Sequence, residues 1–125
     1  MAVKVVDASA LGALLFGEPD GGAVAERLRG AGLIAPALLP FEVANTCLKK
    51  MRRHPDQRDA LMVAFGMLDQ MDISIAEVDQ GEALVVAERS GLTAYDASYL
   101  WLARRTRSEL VTLDRQLEAA GATGW

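Results

Sequence analysis

Apolar positions along this chain recur with two different spacings, and the spacings alternate from one segment to the next. Val3-Lys4-Val5-Val6 is β-branched and apolar at most positions, so it predicts a buried strand ending at Asp7. Helical spacing follows from Ala8 to about Phe16, and the turn-rich stretch Gly17-Glu18-Pro19-Asp20-Gly21-Gly22 interrupts it. A helix from Ala23 to Arg29 is closed by Gly30 and Gly32, and Leu33-Ile34-Ala35 predicts a second strand stopped by Pro36. Helical spacing resumes from Leu38 to about Arg53, with Pro40 tolerated in the first turn. Beyond Pro55 a further helix is expected from Asp56 to about Met71, with Leu61, Phe65 and Leu68 on one side.

Ile73-Ser74-Ile75 predicts a third strand and Asp79 to Arg89 a helix stopped by Gly91. Asp96 to about Arg105 predicts another helix, and Leu110-Val111-Thr112-Leu113 a fourth strand. A last helix is expected from Arg115 to Ala120, ended by Gly121. Strands alternating with helices predict an α/β fold: a central, mostly parallel sheet of about four strands with helices on both faces. No internal repeat or linker interrupts the pattern, and 125 residues suit a single domain, 1–125.

Composition changes this picture little. An apolar share of 51% and a charged share of 24% belong to a chain that folds around a core. The lone Cys47 forms no intrachain disulfide and reads as a small buried hydrophobe. Asp7, Gly12 and Gly17 break up the apolar N-terminal stretch, which argues against an export signal. No apolar run approaches the roughly 18–20 residues that span a bilayer, so a cytoplasmic protein without membrane contact is expected. A net charge of −4 excludes a surface that is basic throughout, but a carboxylate-lined site is acidic by construction and bound cations reverse its sign.

Position singles out four acids. Asp7 follows the first strand and Asp114 the last, and open parallel sheets bind ligands beyond the carboxyl ends of their strands. If those strands are neighbours, the two acids share a crevice. Glu42 and Asp96 sit early in predicted helices among apolar neighbours. Taken singly, each acid also suits a helix N-terminus, where it would complement the dipole by about 0.3–1 kcal/mol. Together in one cleft they would repel unless a cation compensated. All-oxygen ligands without His or Cys favour Mg²⁺ or Mn²⁺, and metal-assisted phosphodiester hydrolysis is the chemistry implied.

Val5-Val6-Asp7-Ala8-Ser9, Phe41-Glu42-Val43-Ala44-Asn45, Tyr95-Asp96-Ala97-Ser98-Tyr99-Leu100 and Thr112-Leu113-Asp114 resemble, in order, the acidic motifs of PIN-domain ribonucleases. Within that family the chain is similar to the VapC-type toxins of toxin–antitoxin systems. The resemblance covers nearly the whole chain. It implies a three-layer PIN-like fold and an Mg²⁺-dependent endoribonuclease (Mn²⁺ serving as well), with Asp7, Glu42, Asp96 and Asp114 as the metal-binding, catalytic acids. Ser9 and Thr112 match the small hydroxyl positions beside those acids and would orient them. The resemblance further implies an RNA substrate, a homodimer and a cognate VapB-like antitoxin whose arginine could pair with the carboxylates. The competing reading is a non-catalytic PIN-like module that binds antitoxin or RNA through the same cleft.

Other phosphoryl-transfer folds fit less well. Ser9 stands where a haloacid-dehalogenase-type phosphatase would carry a second Asp, a receiver domain would want a Lys where Thr112-Leu113-Asp114 stands, and no Gly-x-Gly-x-x-Gly follows the first strand. At about 100° per residue, Glu42, Thr46, Lys49 and Arg53 share one side of their helix, so Lys49 and Arg53 could extend the acidic site into a phosphate track. Their positive charge equally suits a helix C-terminus. Arg104, Arg105 and Arg107 form a second basic group, and His54 reads as a surface residue. Tyr95, Tyr99 and Trp101 are expected in the core or an interface, and Trp125 is a terminal aromatic. Met62, Met67 and Met71 read as core filler or a partner surface.

Overall fold

The computed structural model describes residues 1–122; Trp125 lies outside them. The chain runs β1 (Val3–Val6), α1 (Ala8–Leu15), α2 (Gly21–Leu28), β2 (Gly32–Pro36), α3 (Leu39–Arg53), α4 (Arg58–Gly66), β3 (Ile73–Ala76), α5 (Gln80–Ser90), α6 (Ala94–Thr106), β4 (Glu109–Val111) and α7 (Arg115–Ala122). Single 3₁₀ turns at Pro55–Gln57 and Met67–Gln70 flank α4. The four strands form one sheet in the order β3-β2-β1-β4, and every pairing is parallel. Helices flank this sheet, as the alternating pattern predicts: α1 packs on α2 and α3, α3 on α4, and α5 and α7 on α6, which also lies against β1, β2 and β4.

The order of strands matters more than their number. The chain steps from β1 to β2 to β3 in one direction and then returns to place β4 on the far side of β1. Val6 pairs with Val111, so the carboxyl ends of β1 and β4 lie side by side at the point where the winding reverses. Val5, Val6, Val111, Leu11, Leu39, Val43, Leu100 and Leu117 are fully buried and hold this region rigid.

Three expectations are corrected. The predicted helix from Asp56 to Met71 is divided, because Pro55 opens a 3₁₀ turn and the helical spacing tightens again after Gly66. Gly121 does not end the last helix, which continues to Ala122 with Gly121 against Leu100 and Leu110. The fourth strand stops at Val111, so Asp114 does not follow it directly; Thr112 and Leu113 form the turn between them.

The junction of α1 and α2 is unusually close. A Cβ on Gly21 would stand 2.6 Å from the Ala13 carbonyl oxygen, a backbone atom that cannot swing away. Gly21→Ala is therefore expected to destabilise by about 1–3 kcal/mol through overpacking. Its neighbour Gly22 has open space around it. Gly22→Ala should be neutral or stabilising, by up to about 1 kcal/mol. Urea denaturation of the two variants checks the contrast.

Candidate active site

Four separate segments deliver the acids to one place. Asp7 ends β1 and caps α1, its Oδ1 accepting from the Ala10 N–H at 3.0 Å. Asp114 caps α7 in the same way, accepting from the Leu117 N–H at 2.8 Å. Both are helix caps, as their positions suggest, and both also line a crevice of about 280 Å³ at the carboxyl ends of β1 and β4. Glu42 and Asp96 reach the same crevice from α3 and α6. Neither caps its helix. Thr93 takes that task in α6, its hydroxyl accepting from the Asp96 N–H at 3.1 Å, while α3 starts at Leu39 without a side-chain cap. Both stand in the first turn of their helices, where they complement the dipole, but no capping hydrogen bond accounts for where their carboxylates lie.

Asp7 is the most constrained of the four, with only 4% of its surface exposed. Ser9 Oγ donates to its Oδ1 at 2.8 Å and Thr112 Oγ1 to its Oδ2 at 2.5 Å. Each hydroxyl is oriented from behind by a backbone donor: the Leu113 N–H reaches Ser9 Oγ at 2.9 Å, and the Asp114 N–H reaches Thr112 Oγ1 at 3.0 Å. The β1–α1 and β4–α7 junctions are thus tied together around one carboxylate. A hydroxyl has a single proton, and both protons are aimed at Asp7.

Burial, above all, raises the pKa of Asp7 against the pull of these hydrogen bonds, and the charge of Asp114 adds to it. Glu42 is raised by burial, against its hydrogen bond from Tyr99, and then by Asp96 and Asp7. Asp96 is raised by burial, then by Asp114 and Asp7. Asp7, Glu42 and Asp96 thus hold their negative charge at a cost, and the charge of Asp114 adds to that cost at Asp7 and Asp96. Among the described residues no three His, Cys, Asp or Glu side chains stand close enough to make a ready ligand cage. Side-chain rotation would have to gather their oxygens around one ion.

Lys49 and Thr46 line the crevice beside Glu42, as the helical spacing indicates; Arg53, one turn on, is exposed and outside the lining. Two lining residues escaped the sequence reading. Asn45 lies three residues after Glu42 and Tyr99 three after Asp96, a spacing that shares a helix face and was the available signal. Tyr99 is a core aromatic, 1% exposed, yet its hydroxyl donates to Glu42 Oε1 at 2.6 Å. Trp101 is half-buried and donates to Glu82, and Tyr95 is 66% exposed.

Other candidates lie elsewhere. Arg104, Arg105 and Arg107 end α6 just before β4, at the amino end of the sheet and away from the acids. Near that end Glu109 is held below the usual carboxylate range by its hydrogen bond from Arg27 and by Lys4. His54 is exposed between α3 and the following turn. Cys47 is buried, with its Sγ 3.6 Å from the Leu61 carbonyl oxygen, and burial pushes its thiol pKa up. Met62, Val63 and Met67 leave an apolar surface along α4 and the turn after it, while Met71 packs on the core. No helix among the described residues is long and apolar enough to cross a membrane.

Comparison with known proteins shows the family and the fold. The sequence matches the PIN domain family over residues 4–122. Ribonuclease VapC3 of Pyrobaculum aerophilum is 37% identical over 123 residues, with 90% of each chain covered. The crystal structure of PAE2754 from Pyrobaculum aerophilum superposes with a TM-score of 0.79 at 28% identity, covering 99% of this chain and 88% of that one. VapC20 of Mycobacterium tuberculosis, a sarcin-ricin loop cleaving toxin, superposes with a TM-score of 0.67 over 94% of this chain and 95% of that one; at 19% identity the likeness is one of fold. The chain belongs to the PIN domain family.

Proposed function

We propose that this chain is a divalent-metal-dependent endoribonuclease and the toxin of a toxin–antitoxin pair. The observation that carries the reading is the convergence of Asp7, Glu42, Asp96 and Asp114, from four separate segments, on one crevice in a relative of a ribonuclease. Relationship alone would support a nuclease; the convergence supports a working one over a module that only binds.

The donor set fits a hard cation. Only carboxylate oxygens are offered by the four acids, which favours Mg²⁺ or Mn²⁺ over softer metals. Concentrated negative charge in a partly buried crevice, costly by itself, is what such an ion relieves. When bound, the ion supplies the positive charge that stabilises an in-line displacement at phosphorus and lowers the pKa of an attacking water. Asp7, Glu42, Asp96 and Asp114 would hold it, and Ser9 and Thr112 keep Asp7 in a fixed orientation. Lys49, at the crevice wall, would attract a substrate phosphate, and Arg53, exposed one turn further along α3 and outside the lining, would extend that attraction. No histidine lines the crevice, so the chain offers the carboxylates rather than an imidazole for proton transfer.

The same proposal extends to a cognate VapB-like antitoxin, a homodimer and a cytoplasmic location, which the resemblance to VapC-type toxins implies, with RNA as the substrate of a relative of a ribonuclease. The exposed apolar residues of α4 offer a partner surface of the right character. An antitoxin arginine would find bidentate partners among the four acids. The test is cleavage of total RNA and a transfer RNA pool by partner-free protein with Mg²⁺ or Mn²⁺. Discrete fragments that disappear with EDTA are expected; metal binding with no cleavage of either substrate would favour the binding module instead.

A further inference from the structure

We infer that Tyr99 is a positioning residue for Glu42, its buried hydroxyl anchoring one carboxylate oxygen so that Glu42 stays at the crevice wall within reach of a cation. The inference rests on the metal-site reading above and deepens it. Glu42 has the longest side chain of the four acids, and so the most rotamer freedom to lose when it binds. Asp7 is restrained by three donors and Asp114 by a backbone N–H. Glu42 has one such restraint among the described residues, the Tyr99 hydroxyl at 2.6 Å on Oε1, while Oε2 makes no hydrogen bond among them.

The restraint comes from a rigid source. Tyr99 has few rotatable bonds, is 1% exposed, and sits in the hydrophobic core on α6, which is packed across three strands of the sheet. The bond crosses 57 residues of sequence and couples α3 to α6, the two helices whose acids are not fixed by capping. Packing does not explain the hydroxyl. A phenylalanine would fill the same core space without burying a polar group that needs a partner. What the hydroxyl adds is a fixed donor at one oxygen of Glu42.

Mn²⁺ titration by calorimetry, with thermal melts of the same samples, tests this. Tyr99→Phe keeps the ring and removes the donor, and it is expected to weaken Mn²⁺ binding about 10-fold or more, the usual size of such outer-shell losses. Leu100→Val is the control: it trims the core on the same helix, where Leu100 is fully buried, without touching an acid. It should lower Tm yet leave the Mn²⁺ affinity unchanged, because it removes no hydrogen bond to any of the acids. Unchanged affinity in Tyr99→Phe would overturn the assignment, as would an equal loss in Leu100→Val, which would make the effect one of core packing. If the parent chain binds no Mn²⁺, the metal-site reading fails and the role of Tyr99 with it. If the parent binds and Tyr99→Phe binds equally, only the role of Tyr99 fails.

Discussion

Asp7→Asn is expected to reduce RNA cleavage by more than about 100-fold, since it removes a charged ligand and not merely an outer-shell contact, while the metal-free protein melts at or above the parent. The two halves of this expectation have one cause. Asp7 is buried, and burial is the largest influence on its raised pKa, so its charge costs folding energy at neutral pH. Asparagine keeps an oxygen for the Ala10 N–H and Ser9 hydroxyl and abolishes the charge; toward Thr112 it presents an amide N–H, so that hydroxyl must turn to accept from it. A residue kept for chemistry at the expense of stability behaves this way. Were Asp7 only the cap of α1, replacing it by asparagine, an equally good cap, would leave cleavage unchanged. Cleavage assays and differential scanning calorimetry on the same preparation separate the cases.

Stability should respond to pH and to metal in opposite senses. Asp7, Glu42 and Asp96 all have folded-state pKa values above their ordinary values of 3.8, 4.5 and 3.8. The folded chain thus holds more protons than the unfolded one between those ordinary values and the raised ones. Their contribution to stability is fully present below this window and is lost as pH rises through it. Glu109, whose pKa is lowered, works the other way and is lost as pH falls through its folded value, but it is one group against three. The metal-free protein is accordingly expected to lose stability as pH rises above those ordinary values.

Mn²⁺ should reverse that loss. At a hundredfold excess over Kd a ligand that binds only the folded state adds about 2.7 kcal/mol, which is roughly 10 °C in Tm for a chain of this size. The increment should grow with pH, because the ligands must shed their protons before they bind. Thermal melts with EDTA and with Mn²⁺ from about pH 4 to about pH 7.5 measure both trends. A Tm that climbs with pH in EDTA and ignores Mn²⁺ would contradict this picture of the crevice.

Local chemistry made much of the molecule legible before its shape was known. The β-branched run before Asp7 and the spacing of Glu42, Thr46 and Lys49 were readable because strand and helix periods act over a few residues. That β1 and β4 are neighbours was an assumption from sequence, since strand order is set by contacts about a hundred residues apart. The end of β4 was misplaced because Thr112 is β-branched and resembles a strand residue; its hydroxyl instead serves Asp7 across the turn. Tyr99 was correctly a core aromatic, but its partner Glu42 lies on another helix, and no local pattern carries that pairing. Arg53 shares the helical side of Glu42 but lies a turn beyond the crevice, a matter of distance along the helix that angle alone does not encode.

In the proposed function the four carboxylates direct water, through a bound divalent ion, at an RNA phosphodiester. The most direct measurement is the chemistry of the ends left when partner-free protein cuts RNA with Mg²⁺. Attack by water cannot generate a 2′,3′-cyclic phosphate, whereas attack by the neighbouring ribose 2′-hydroxyl must pass through one. Fragments free of cyclic phosphate, and formed only while the divalent ion is present, are the predicted result. Cyclic phosphate ends, or the same cleavage in EDTA, would contradict it.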